Sequence, residues 1–273
     1  MPETISTIQN NLSHLLKLAV DAGKAILEVY ETAFSVEIKD DRSPLTLADK
    51  KSNEILCKGL ASIWNIPIMS EEIKQLSYEE RKAWNKFWLV DPLDGTKEFI
   101  KRNGEFTVNV ALIEDHTPVF GLIYVPVTGQ MYFAIKEQGS YTLSLKDWSA
   151  LPTSYNEIIS LSKKLPLEHR PAGEFNIVAS RSHMSPETEA YINEEKGKHK
   201  VVNIVSAGSS LKFCLVAEGK ADAYPRYGPT MEWDTGAGHI IATETGKKLV
   251  RTDTMEPLTY NKENLLNPYF LVY

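Results

Sequence analysis

The sequence predicts an α/β chain built from two unlike parts, and three observations predict it. Ile8, Leu12, Leu15, Leu16, Ala19, Val20, Gly23, Ile26, Leu27 and Tyr30 fall on one helical face, so the chain opens on a long amphipathic helix. Residues 106–113, 119–125 and 130–135 read as three consecutive strands with short, turn-rich connections, an antiparallel meander. From 176 to 250 strands and helices alternate instead, which argues for an α/β unit. We therefore expect an antiparallel-sheet part with helices over 1–150 and a smaller α/β part over 151–273. The division falls where 136–156 turns polar and loses its period.

In chain order, Gly23 costs stability inside the first helix and suggests a close helix contact. Residues 34–39 alternate and read as a strand, and Asp40 to Pro44 as a polar loop. Thr46 stands three residues before Asp49 at the start of a helix faced by Ile55, Leu56, Leu60 and Ile63, so Asp49 has a reading as a capping partner. A short apolar run, Ile66 to Met69, ends in Ser70-Glu71-Glu72; a solvated loop is the plain reading of those acids. After the meander, 176–179 and 201–205 read as strands. Ser185-Pro186 opens a helix with a Ser cap and Pro at its first position. Another helix runs from about Leu211 to Glu218, a strand covers 221–224, and Pro225 to Pro229 form a rigid loop. The last helix opens near Asp234 and stops at Gly246, and a strand covers 248–250.

Composition bounds the function. With 273 residues and 42% hydrophobic content the chain can bury a large core. It has no run of about 18 apolar residues that could span a membrane. Met1-Pro2-Glu3-Thr4 does not start a signal peptide, and Cys57 and Cys214 lie in apolar helical patterns, so we expect a cytoplasmic protein with reduced thiols. A net charge of −6 argues against nucleic-acid binding, while leaving room for a small anionic substrate at a locally positive site.

The chain is organised around Trp88-Leu89-Val90-Asp91-Pro92-Leu93-Asp94-Gly95-Thr96. The apolar run is a buried strand that delivers Asp91 at its exit. Pro92, having no N–H, is expected to end the ladder. Asp94 then returns across a tight turn to the same point as Asp91. Two close carboxylates repel unless a cation lies between them. Oxygen ligands without nearby Cys or His suit Mg²⁺. Free N–H groups at Gly95 and Thr96 would cradle a phosphate beside it. Asp234 reads either as a helix N-cap or as a further ligand. The Gly236-Ala237-Gly238 run, which permits close backbone approach, favours the ligand.

Taken in order, Thr46-Leu47-Ala48-Asp49, Ser70-Glu71-Glu72, Asp91 to Thr96 and Trp233-Asp234 resemble the signatures of the inositol monophosphatase superfamily of lithium-sensitive, metal-dependent phosphomonoesterases. Within it, DPLDGTKEFI from Asp91, SRSH from Ser180, GSSLKFCLVAEG from Gly208 and YPRYGPTMEWD from Tyr224 resemble the bacterial 3′(2′),5′-bisphosphate nucleotidases. The resemblance implies the layered sugar-phosphatase fold, αβαβα, and hydrolysis of adenosine 3′,5′-bisphosphate to AMP by a metal-activated water. It implies two or three Mg²⁺ ions held by Glu71, Asp91, Asp94, Asp234 and the Leu93 carbonyl. Asp49 would hold Thr96, and Thr96 and Glu71 would orient the attacking water. Gly95 and Thr96 would bind the phosphate. His183, Ser209, Lys212, Arg226 and Asp234 would contact the nucleotide. Alone, His183 reads as a surface or capping residue and Lys212 as a solvated helix residue. An inositol monophosphate or sugar phosphate phosphatase with the same metal site is the alternative. A non-catalytic metal- and nucleotide-binding protein would be expected to lack Thr96, Asp49 or Glu71, and all three are present.

Overall fold

The computed structural model describes residues 3–33, 35–38, 44–167, 173–179 and 184–273. The first helix, α1 (Glu3–Tyr30), buries the expected stripe from Ile8 to Ile26, while Leu27 and Tyr30 are only partly buried. A Cβ on Gly23 would stand 2.5 Å from the Tyr124 ring, so the close contact made there is with the sheet and not with another helix. The strand expected at 34–39 is seen as β1 (Val36–Ile38), paired antiparallel with β2 (Pro44–Thr46). Phe34, Lys39 and the 40–43 loop lie outside the described residues. There follow α2 (Leu47–Ile63), β3 (Ile68–Ser70), α3 (Tyr78–Arg81), β4 (Lys86–Asp94) and α4 (Thr96–Ile100). The meander is β5 (Thr107–Glu114), β6 (Thr117–Val125) and β7 (Gln130–Ile135). It continues through β8 (Gly139–Ser144), in the stretch read as a polar boundary, and after α5 (Tyr155–Leu161) ends at β9 (Lys163–Lys164).

Among the described residues these form one seven-stranded sheet in the order β3-β4-β5-β6-β7-β8-β9. Only the β3–β4 pair is parallel. The apolar runs have a simple cause, since both faces of the sheet are covered. Trp88, Val90, Val110, Leu112 and Leu122 face the core of α1 and α2. The alternate positions Phe87, Leu89, Ala111 and Ile123 face the opposite core, with Ala237, Ile240 and Ile241.

The second part begins with β10 (Glu174–Val178), α6 (Pro186–Lys198) and β11 (Val201–Val205), where β10 and β11 pair in parallel. Ser185 caps α6 as read from the sequence, its hydroxyl accepting the Thr188 N–H at 3.2 Å. Next come α7 (Leu211–Ala217), β12 (Tyr224–Arg226), α8 (Glu232–Thr243), β13 (Leu249–Arg251) and β14 (Phe270–Val272). The strand expected at 221–224 therefore sits later, and Pro225 lies inside it. Proline is tolerated there because β12 is an edge of the sheet β12-β14-β13. The last residues return to place β14 in the middle of that sheet, where Phe270 and Val272 are fully buried.

Helix α8 lies directly on β6. A Cβ on Gly121 would meet the Ala237 carbonyl oxygen and the Ile240 side chain, each at 2.5 Å. Because backbone must yield, Gly121→Ala is expected to destabilise the chain by about 1–3 kcal/mol. That would lower Tm by roughly 2–4 °C per kcal/mol. An unchanged Tm would show that α8 shifts freely over the sheet.

Candidate functional site

The end of β4 does not form the expected turn. Asp91 pairs with Asn109 and Asp94 with Thr107, so β4 spends one residue more than β5 between those pairs. Pro92 does not end the strand; a bulge carries it, and the ladder resumes at Asp94. In a regular strand a separation of three puts side chains on opposite faces. The extra residue returns Asp94 to the side of Asp91. Side chains satisfy the bulged backbone. The Asp91 carboxylate accepts the Leu93 N–H at 3.1 Å, and the Ser52 hydroxyl donates to the Pro92 carbonyl at 2.7 Å. Gly95 follows with φ 90° and caps α4, a left-handed conformation that favours glycine. As cap and first residue of that helix, Gly95 and Thr96 have no intrahelical acceptor for their N–H groups.

Three further segments converge on this bulge. The register Ser70↔Val90 sets Glu71 beside Asp91, with the Glu71 N–H on the Val90 carbonyl at 3.1 Å. The Glu71 and Asp91 carboxyls share a hydrogen bond. Asp49 fulfils both of its readings. Its Oδ2 takes the Thr46 N–H and hydroxyl at 2.7 and 2.6 Å, and its Oδ1 takes the Thr96 hydroxyl at 3.2 Å. Asp234 is the third residue of α8 and not its N-cap, which is Met231. Its Oδ2 accepts the Met231 N–H at 2.8 Å, and the same carboxylate joins the acidic group.

Oxygens of Asp91, Asp94 and Asp234 lie within 4.8 Å of one another. Burial first, and then Glu71, Asp94 and Asp234 around it, hold the Asp91 carboxyl well above the usual carboxylate range. Burial and the Asp94 charge push Asp234 up to about 8. Burial raises Asp94 to about 6, against the pull of Lys212, the Asn109 amide and the Ser210 N–H. The cluster thus holds more negative charge than the protein neutralises. The donor set of Asp91, Asp94 and Asp234 is all carboxylate, with no thiol or imidazole in the group among the described residues, which fits a hard divalent ion such as Mg²⁺.

Beside the acids stands a cationic wall. A cavity of about 70 Å³ is lined by Asp94, Ser209, Lys212, Tyr224, Arg226 and Asp234 among others. It suits one phosphate group, and a whole nucleotide would extend beyond it. Lys212 is buried, and its Nζ donates to the Ser209 carbonyl at 2.9 Å. Burial and the nearby Arg226 push its pKa down while Asp94 holds it up. Arg226 donates from Nη2 to the Pro229 carbonyl at 3.1 Å, and its buried Nε meets no acceptor among the described residues. Two larger grooves, of about 490 and 520 Å³, lie along α1 and α2 and beside α6. Neither contains the converging buried acids.

The structure thus brings together Asp49, Glu71, Asp91, Leu93, Asp94, Gly95, Thr96, Ser209, Lys212, Arg226 and Asp234. His183 lies outside the described residues, as do Ser180 to Ser182. Sequence reasoning missed Asn109 and Ser210, which bond to each other at 2.8 Å behind Asp94. The signal available was one amide inside the apolar run 108–113.

The chain matches the inositol monophosphatase family model over residues 8–269. It is 43% identical over 265 residues to the 3′(2′),5′-bisphosphate nucleotidase CysQ of Salmonella typhimurium, covering 96% of this chain and 98% of that one. Identity to the protein of the same name from Escherichia coli K12 is 41% over the same length. The crystal structure of CysQ from Bacteroides thetaiotaomicron superposes with a TM-score of 0.84 at 47% identity, covering 97% of each chain. SuhB from Bartonella henselae, at 20% identity and a TM-score of 0.73, shares the fold. A family match spanning almost the whole chain means that the chain belongs to the inositol monophosphatase family.

Proposed function

We propose that the chain is a Mg²⁺-dependent 3′(2′),5′-bisphosphate nucleotidase that removes the 3′-phosphate of adenosine 3′,5′-bisphosphate and leaves AMP. The observation that carries this reading is that one cavity is lined both by Asp94 and Asp234 and by Lys212 and Arg226. A phosphate undergoing hydrolysis belongs with the acids and their ions, and a second phosphate with the cations. A singly phosphorylated inositol has less use for those cations. The bisphosphate nucleotidases named above are 41–43% identical to this chain. Solved inositol monophosphatases stand at 17–21%.

Two or three Mg²⁺ ions, held by Glu71, Asp91, Asp94, Asp234 and the Leu93 carbonyl, would neutralise the phosphate and acidify water. The chain's own residues do the positioning. The Thr96 hydroxyl spends its hydrogen on Asp49 Oδ1, so its oxygen is left to accept from the attacking water. Glu71 would orient the same water from the other side of the site. The Gly95 and Thr96 N–H groups hold the phosphate oxygens. Lys212 and Arg226, with Ser209 at their edge, grip the second phosphate; His183 and Asp234 complete the nucleotide contacts. We assign the two-part organisation to this task as well. Residues 1–150 carry most of the ion ligands, and 151–273 supply the substrate elements and Asp234. Among the described residues no helix is long and apolar enough to cross a membrane, and a cytoplasmic location is proposed with it.

Phosphate release in Mg²⁺, with and without lithium, tests the assignment on adenosine 3′,5′-bisphosphate, inositol 1-phosphate and fructose 1,6-bisphosphate. Strong preference for the nucleotide and inhibition by lithium are expected. Lys212→Ala should cut kcat/KM for the nucleotide about 10²-fold, as a lost charge-assisted contact of about 2–3 kcal/mol would. Its loss on inositol 1-phosphate should be far smaller. Preference for a sugar phosphate, or equal losses on both, would overturn the reading.

A further inference from the structure

The buried face of β5 contains one polar side chain in the run 108–113, Asn109, which is 1% exposed. It pairs with Asp91 across the bulge, while its side chain reaches past to Asp94. Its Nδ2 donates to Asp94 Oδ2 at 3.3 Å, and its Oδ1 accepts the Ser210 hydroxyl at 2.8 Å. An ionised carboxylate can only accept, so the amide orientation is fixed. Ser210 has one hydroxyl hydrogen and gives it to Asn109. The contact of 2.7 Å between Thr107 Oγ1 and Ser210 Oγ must therefore run from Thr107 to Ser210. Three donors thus point one way, Thr107 to Ser210 to Asn109 to Asp94. The Ser210 backbone N–H also bonds Asp94. Ser210 is the residue on which α7 begins, two positions before Lys212.

We propose that Asn109 is a positioning residue that ties Asp94 to the head of α7 and so keeps the acidic and cationic walls in one register. It touches neither substrate nor ion, and acts through Asp94 on one side and Ser210 on the other. An amide is required, because the site needs a donor toward Asp94 and an acceptor toward Ser210 on one planar group. A carboxylate in its place would repel Asp94, and an apolar residue would leave Ser210 and Asp94 without their partner. The inference rests on the reading that Asp94 is an ion ligand.

The test measures Mg²⁺ affinity, by calorimetry and by the Mg²⁺-induced rise in Tm, in the full chain carrying Asn109→Ala, Asn109→Asp, Ser210→Ala or Asn109→Ala with Ser210→Ala. Kinetics on adenosine 3′,5′-bisphosphate accompany it. Asn109→Ala should weaken Mg²⁺ about tenfold or more, as loss of a partner behind a ligand does. Asn109→Asp should weaken it further. The Ser210 side chain bonds no carboxylate, yet Ser210→Ala should also weaken Mg²⁺ several-fold and raise KM. The double variant should be no worse than Asn109→Ala, because the two act in one chain. A lower Tm with unchanged Mg²⁺ affinity, or additive losses in the double variant, would overturn the proposal. Ser210→Ala keeps it readable if Asn109 variants fail to fold. Wild-type protein that binds Mg²⁺ but releases no phosphate would sink the nucleotidase reading and leave this measurement standing; wild-type protein that binds no Mg²⁺ would sink both.

Discussion

Asp91→Asn is expected to reduce phosphate release by on the order of 10³-fold, because the amide removes a full charge from the point where the acids converge. The fold should survive. The replacement oxygen can still accept the Leu93 N–H that shapes the bulge, and the new NH₂ can donate to Glu71. Without Mg²⁺ the variant should melt higher than the wild type, since an amide is neutral without the proton that a buried carboxyl among Glu71, Asp94 and Asp234 must take up on folding. With saturating Mg²⁺ the order should reverse. Activity and metal-free stability thus move in opposite directions. Near-normal turnover, or a metal-free Tm below wild type, would mean that the acids around Asp91 are not an ion site.

The second large effect is the pH dependence of the metal-free protein. Asp94 at about 6 and Asp234 at about 8 are both raised above the unfolded value near 3.8, and Asp91 is raised well above it too. A group raised on folding contributes stability that is complete below its unfolded pKa and is lost as pH climbs through the folded one. These acids therefore weaken the fold from about pH 4 upward. His239 works the other way, since burial lowers it from 6.5 to about 4 and its contribution is lost as pH falls across that range. Between pH 6.5 and 8 its opposition has ended. There Tm without Mg²⁺ should fall, at up to about 1.4 kcal/mol per pH unit for each acid still protonated in the folded state. Mg²⁺ should raise Tm by an amount that grows with pH over the same window. A flat metal-free profile, or a Mg²⁺ effect independent of pH, would contradict the shared charge at the cluster.

Much of this site is legible in the sequence because its parts are adjacent or obey short spacings. Asp91, Asp94, Gly95 and Thr96 lie within six residues, and Thr46 with Asp49 follows the capping interval. The same period that predicts a strand cannot reveal the bulge. What reveals it is the pairing of Asp91 and Asp94 with Asn109 and Thr107, a register between distant segments. Asn109 escapes for the same reason: its partners Asp94 and Ser210 come from two different parts of the chain. Strand β14 is only three residues long, too short to show a period. Its place between β12 and β13 depends on partners that are not its neighbours in sequence. Strand β8 is hidden inside a stretch whose alternation Gly139 and Ser140 blur.

The strand β11 carries a consequence of another kind. Among the described residues it pairs with β10 alone, and Val201 and Ile204 on it are 44% and 48% exposed. A β-branched edge of this sort offers free backbone groups to any extended chain, including another molecule's. Lys200 before it and Asn203 within it are the residues that blunt it. Partial opening of the small unit, with α6 lifted from β11, would expose Val-Val-Asn-Ile-Val as an aggregation seed while the seven-stranded sheet was still intact. The colloidal lifetime of the protein on heating is then set by this edge, and a charge introduced at Ile204 would lengthen it without approaching the acidic cluster.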